Sequence, residues 1–214
     1  MRKKLHFEIL DTKRRGIFER LAKIAPNNSY LAGGTALALQ IGHRESLDFD
    51  LFCPKEITFA VKKKVLKEFS DFSLQTLVDT SDELSLVLDG EIKITLLNYF
   101  WSPVRPLVKV TKAVPLLSIP DIAAAKAYAL GRRGNFRDYF DLYVLVKNGH
   151  ATLKDIVKLC RRKYGEVFSE RMFLEQLTYM GDSSGDKQLR YLGEKFVSPA
   201  QLIEFFKKEI SKNV

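Results

Sequence analysis

The amino-acid sequence predicts an α+β fold: a mixed sheet with flanking helices, followed by a helical second half. Three observations predict it. Segments near residues 47–52, 72–78, 84–88 and 91–97 carry the strand pattern, and the first of them alternates carboxylate with apolar residue at period two. Residues 11–24 and 57–70 instead space their apolar side chains at helical intervals. From residue 118 onward the periodicity is helical, punctuated by capping residues and glycines. Pro103, Pro106 and Pro115 mark an extended connection between the halves. Two domains are therefore expected, over residues 1–112 and 113–214, and 214 residues suffice for both to bury a core.

The elements follow in order. Ile17, Phe18, Leu21 and Ile24 share one side of the first helix. Tyr30-Leu31-Ala32 is a strand stub broken by Gly33-Gly34, and Thr35 to Gly42 resumes a helix. Leu47 to Phe52 reads as a strand with Leu47, Phe49 and Leu51 facing the core. The lysine-rich helix that follows draws its core face from Phe59, Val61, Val65, Leu66 and Phe69. Asp89-Gly90 is a two-residue hairpin signal, since a type I′ turn needs positive φ at both positions. In the second half, Ser118, Asn135, Thr152 and Ser198 read as helix caps, with Gly134, Gly149 and Gly165 as stops. Residues 181–187 are the interior stretch with the most flexible composition.

Hydrophobic residues make up 46% of the chain and charged residues 29%, as in ordinary globular proteins. The net charge of +9 and pI near 9.4 are not ordinary, and favour nucleic acid or nucleotide phosphates as partners. Cys53 and Cys160 are far apart and form no paired motif, which argues against a disulfide framework or zinc site. The N-terminal residues are basic but lead into no apolar run, so no signal peptide is expected. No stretch approaches the roughly 20 apolar residues of a spanning helix. The expectation is a cytoplasmic protein without a membrane partner.

The chemistry is concentrated between residues 31 and 52. Gly33 and Gly34, between a strand and a helix N-terminus, let the backbone approach a triphosphate whose charge the helix amides favour. Thr35 can add a hydroxyl donor. Asp48 and Asp50 lie two apart on the next strand, so both carboxylates share one face. Two adjacent carboxylates repel unless a cation lies between them, and Mg²⁺ (or Mn²⁺) suits a site of one or two carboxylates plus substrate phosphates. Either glycine pair or Asp-x-Asp alone would be a loop or a solvated face; their order along strand, Gly-Gly, helix and strand favours nucleotide chemistry.

Two blocks extend this into a resemblance. Gly33-Gly34-Thr35-Ala36-Leu37 with Gly42-His43-Arg44, Ser46, Asp48, Asp50 and Phe52 resembles the polymerase-β-like nucleotidyltransferases, and more specifically the AbiEii/AbiGii toxin family. Asp121-Ile122-Ala123-Ala124-x-Lys126, Arg132-Arg133-Gly134 and Arg137-Asp138-Tyr139-x-Asp141-Leu142-Tyr143 are similar to that family's second block. The resemblance implies transfer of a nucleotide from a metal-bound NTP. It implies that Lys126, Asp138 and Asp141 line the nucleotide site. Joined to the residue chemistry, the catalytic set is Asp48, Asp50, Lys126, Asp138 and Asp141, with Asp48 and Asp50 on the metal and Gly33, Gly34, Thr35, Arg44, Lys126, Arg133 and Arg137 on the nucleotide. The resemblance also implies a toxin of a toxin–antitoxin or phage-defence pair, with a cognate antitoxin as partner and RNA such as tRNA as acceptor.

The residues also have plainer readings. Asp121 and Asp138 fit capping boxes, and Asp141 can pair with Arg137 one turn away. His43 and Arg44 complement a helix C-terminus. Tyr99, Phe100 and Trp101 read as core aromatics, and Lys62-Lys63-Lys64 as a solvated helix face. Many relatives in the wider superfamily carry a third carboxylate on the later strand, where Thr95 stands here. That departure leaves acceptor deprotonation without an assigned base, unless Asp138 or Asp141 takes over. It keeps open a non-catalytic nucleotide- or RNA-binding module, with a small-molecule nucleotidyltransferase as a further alternative.

Overall fold

The computed structural model describes residues 4–180, 189–192 and 196–212. The 181–187 stretch lies outside them. The chain forms two compact units, residues 1–118 and 119–214.

The first unit opens with α1 (Thr12–Ile24), started by the Asp11 carboxylate accepting the Arg14 amide at 2.8 Å. Its predicted stripe of Ile17, Phe18, Leu21 and Ile24 is fully buried. Next come β1 (Tyr30–Ala32), α2 (Gly33–Ile41), β2 (Phe49–Cys53) and α3 (Phe59–Glu68). Three strands complete the unit: β3 (Leu74–Asp79), β4 (Glu83–Leu88) and β5 (Ile92–Asn98). The five strands form one sheet in the order β1-β2-β5-β4-β3. Only β2 and β5 run parallel; the other pairs are antiparallel, so the sheet is mixed.

Alternation along these strands separates two faces. Phe49, Leu51, Leu84, Leu86, Ile92, Ile94 and Leu96 are buried on one, where Phe18 of α1 stacks on Phe49 at 6.4 Å between ring centroids. α3 joins α1 through Arg20, whose guanidinium pairs with Glu68 and Asp71 over the Phe69 ring. Asp50, Thr95, Ser85 and Glu83 occupy the opposite face by the same alternation.

Three local expectations are corrected. β2 starts at Phe49, because Asp48 Oδ1 accepts the Lys93 amide at 3.1 Å and a side chain replaces the next ladder bond. Leu47 therefore lies beyond the pairing and is exposed. In α3, Val65 and Phe69 are buried but Phe59 and Leu66 are exposed, so its core stripe is narrower than the composition suggests. The β4–β5 turn does have positive φ at Asp89 and Gly90, yet Leu88 pairs with Ile92, leaving a three-residue loop.

The second unit contains α4 (Ile119–Arg133), α5 (Phe136–Lys147), α6 (Leu153–Tyr164), α7 (Glu170–Leu177) and α8 (Pro199–Ser211). Asn135, Thr152 and Ser198 cap α5, α6 and α8 as their sequence positions require, and Ser198 forms a full capping box with Gln201. No helix among the described residues is long and apolar enough to cross a membrane.

Both cysteines are buried and form no disulfide. Burial pushes the Cys160 thiol up to about 12, outweighing the nearby Lys163 charge, and raises Cys53 as well. Since the thiolate is the nucleophile, neither residue is expected to react with iodoacetamide at pH 8 in the folded protein, whereas both react in urea. Mass spectrometry before and after unfolding checks this, and fast native labelling of Cys160 would contradict its placement.

Candidate active site

In the first unit the sheet register assembles the site. Ala32 of β1 is opposite Asp50 of β2, which is in register with Thr95 of β5, itself opposite Ser85 of β4. These four residues make one row across four strands. Because β1 ends at Ala32, α2 starts beside Asp50. Gly33 has φ +66, and a Cβ there would overlap the Asp50 carboxylate. Any larger residue is thus opposed by backbone conformation and by space. A Cβ on Gly34 would overlap the Arg44 guanidinium and stand 3.0 Å from Ser46 Oγ. The two glycines therefore bring a carboxylate and a guanidinium to the same helix terminus.

That terminus carries no side-chain cap, since its N-cap residue is Ala32. Its first amides are of the kind that bind anions, with the helix dipole behind them. Arg44 is almost fully buried and donates from Nη1 to the Glu45 carbonyl at 2.9 Å, which fixes its guanidinium over Gly34. Buried Thr35 donates to the Asp48 carbonyl and meets Ser46 Oγ at 2.9 Å. Its hydroxyl thereby ties the 42–48 connection to α2 and holds Asp48 in place. His43 is buried beside Arg44 at the end of the same connection.

Asp48 and Asp50 are the candidate metal ligands. Among the described residues no group of three or more His, Cys, Asp or Glu gathers to hold a metal. A two-carboxylate set fits a hard cation whose other ligands are phosphate oxygens and water. Asp48 keeps Oδ1 on the Lys93 amide, an orientation that a loop carboxylate would otherwise lack. Thr95, expected from the sequence at the position of a third acid, is the register partner of Asp50, and its Oγ1 lies 3.2 Å from Ser85 Oγ.

In the second unit Lys126 of α4 meets both acids of α5, with Nζ 3.0 Å from Asp138 and 2.5 Å from Asp141. All three side chains are nearly inaccessible. Asp138 and Asp141 are three apart and so share one face of α5. Asp141 is thus held by Lys126, and Asp138 serves as more than a capping-box acid. Arg137 is half-buried beside them. α4 carries Arg133, but its side chain lies outside what the structure describes. Asp121 is fully buried in an ion pair with Lys163 at 2.9 Å, joining α4 to α6. Arg132 is exposed, its guanidinium 3.6 Å above the Tyr128 ring, and Tyr128 stacks on Tyr164.

Several of these contacts were not visible in the linear pattern. Ser85 and Glu83 sit in an apolar strand where only alternation marks them, and the Ser85–Thr95 pairing depends on the hairpin loop length. Lys163 reads as one of four clustered cations, but burial and Asp121 remove it from the surface. Of the aromatic run, Tyr99 stacks on Phe52 at 4.2 Å while Phe100 is exposed, so it is not uniformly core.

The family model "Nucleotidyl transferase AbiEii toxin, Type IV TA system" matches residues 21–191. An uncharacterized protein of Aquifex aeolicus is 30% identical over 200 residues, covering 87% of this chain and 88% of its own. Among solved structures, a Helicobacter pylori protein designated a nucleotidyltransferase is 21% identical with a TM-score of 0.54, covering 92% of each chain. MenT4, a nucleotidyltransferase toxin of Mycobacterium tuberculosis, is 15% identical with a TM-score of 0.54, covering 92% of this chain and 81% of its own. At these identities the two structures speak for the fold.

Proposed function

Because the chain belongs to the AbiEii family of nucleotidyl transferase toxins of type IV toxin–antitoxin systems, and is a nucleotidyltransferase, we propose that it transfers a nucleotide from Mg²⁺-bound NTP to an RNA acceptor. The observation that carries the reading is the Asp50 carboxylate seated over Gly33, with Asp48, two residues before it, held by the Lys93 amide and Thr35. Asp48 and Asp50 would hold Mg²⁺, or Mn²⁺ in its place. When bound, that ion orients the phosphates and neutralises charge developing at the α-phosphate.

The rest is done by the chain. The α2 amides at Gly33, Gly34 and Thr35 receive phosphate oxygens, and Arg44 adds a fixed cation at the same terminus. In the second unit, Lys126 would offer its ammonium charge to a phosphate oxygen. Asp138 and Asp141 orient it, with Arg133 and Arg137 as further nucleotide contacts. A cognate antitoxin is the expected protein partner and the cytoplasm the expected compartment.

An RNA acceptor is supported by the net charge of +9 and by Arg132, Lys158, Arg161 and Arg162, all exposed on the helical unit. Lys126 and Lys163 are buried in ion pairs and add nothing to that surface; Arg161 already pairs with Glu170. The test is incubation with Mg²⁺, each labelled triphosphate in turn and total RNA, alongside RNA binding by Asp48→Asn across a salt series. Label is expected in RNA, and affinity should fall steeply with salt as counterions are released. Arg161→Ala with Arg162→Ala should flatten that slope. Label absent from RNA, with binding insensitive to salt, would move the acceptor to a small molecule.

A further inference from the structure

We infer that the hydroxyls of Thr95 and Ser85 form a proton relay that ends on Glu83 and supplies the base that a third site carboxylate would otherwise be. The inference rests on the nucleotidyl-transfer reading of the Asp48/Asp50 site. It starts from a short chain of contacts on one sheet face. Ser85 Oγ donates to Glu83 Oε1 at 2.6 Å, and Ser85 Oγ lies 3.2 Å from Thr95 Oγ1. Ser85 has one proton, and it goes to Glu83. In the Ser85–Thr95 bond the donor is therefore Thr95, which leaves Thr95 lone pairs to accept a proton from outside.

The placement matches the need. Thr95 is the register partner of Asp50 on the adjacent parallel strand, so its hydroxyl neighbours the candidate metal carboxylate. Ser85 is fully buried and Thr95 nearly so, while Glu83 is half-exposed. A proton thus enters at the Asp50 end, crosses two hydroxyls shielded from water, and leaves to solvent from Glu83. The balanced step is one bond made and one broken at phosphorus. The acceptor oxygen bonds the α-phosphorus and pyrophosphate departs. The acceptor's proton passes to Thr95 Oγ1, the Thr95 proton to Ser85 Oγ, and the Ser85 proton to the Glu83 carboxylate.

Stability does not account for the chain. Val87 and Leu97 flank the pair on the same face, and replacing both partners of a buried hydrogen bond with apolar groups of similar shape is nearly neutral. A hydroxyl pair ending on a carboxylate is therefore a choice the fold does not require.

The experiment compares kcat, KM and Mg²⁺-dependent triphosphate binding by calorimetry for wild type, Glu83→Gln, Ser85→Ala, Thr95→Val and Thr95→Ser. Glu83→Gln still accepts the Ser85 hydrogen bond but takes up no proton. It should lose about 10²-fold or more in kcat, the lower range for general base catalysis, with KM and triphosphate affinity unchanged. Thr95→Val should lose a similar factor and Thr95→Ser should recover it. The Glu83→Gln, Thr95→Val double variant should be no slower than either alone, because parts of one relay act as a unit. Wild-type kcat in Glu83→Gln, or losses that multiply in the double variant, would overturn the relay while leaving the nucleotidyl-transfer reading intact. A wild-type protein that neither binds triphosphate with Mg²⁺ nor transfers nucleotide would overturn that reading, and the relay with it.

Discussion

Changing Asp50 to asparagine is expected to reduce nucleotidyl transfer at least about 10³-fold while the protein stays folded. Asparagine keeps the size and shape of the aspartate, so it still fits over Gly33 between Ala32 and Thr95. What it loses is the charge that balances a divalent cation. Removing one preorganised group that stabilises transition-state charge costs about 2.7–4 kcal/mol, and each 1.36 kcal/mol is tenfold in rate. Loss of the metal together with the phosphate contacts it organises belongs at or above the top of that range. The paired measurement is calorimetry on Asp48→Asn with Asp50→Asn. Metal-dependent triphosphate affinity should vanish while far-UV circular dichroism is preserved. Wild-type affinity in the double variant would remove both residues from the metal.

Replacing Lys126 with alanine is expected to destabilise the helical unit by about 3–5 kcal/mol, the usual cost of stripping one partner from a buried ion pair. Here the removal leaves two carboxylates, Asp138 and Asp141, facing one another without the ammonium between them. For a urea m-value of about 2 kcal/mol per molar, the unfolding midpoint should drop by roughly 2 M. A compensated variant separates stability from function. Lys126→Met with Asp138→Leu and Asp141→Leu removes all three charges together and should recover part of the loss, since apolar replacement of a buried ion pair or triad is often neutral or better. It should remain inactive, because the ammonium held for phosphate is gone. An unfolding free energy for Lys126→Ala within about 0.5 kcal/mol of wild type, the range of ordinary surface changes, would show that the network carries no structural weight. Full activity in the triple variant would take all three residues out of the reaction.

Much of this molecule is local in origin and could be read from the chain. Asn135, Thr152 and Ser198 cap helices because a short polar side chain reaches an amide two or three residues ahead, a contact that needs no distant partner. The stripe on α1 is buried as its spacing requires, since period 3.6 fixes which residues share a face. The Gly33–Gly34 step and the Asp48/Asp50 spacing likewise pointed to a strand–helix terminus beside a carboxylate pair. The mixed α+β architecture follows from the same periodicities.

What tertiary structure decided is where distant segments meet. Asp48 precedes β2 rather than lying within it, because its side chain captures an amide from β5. Lys163 is indistinguishable in sequence from a solvated cation, and the sequence singles out Lys126 without pairing it to Asp138 and Asp141. Only the packing of α4 against α5 and α6 shows that each neutralises buried aspartates. The hairpin is the sharpest case. A two-residue loop at Asp89-Gly90 would set Ser85 opposite Ile94, and the observed three-residue loop sets it opposite Thr95. Because side chains alternate across a strand, that single residue decides whether the two hydroxyls share a face. Turn propensity determines that the chain reverses there. Register is settled by which side chains the whole sheet can bury, a sum over contacts from all five strands that no local segment contains.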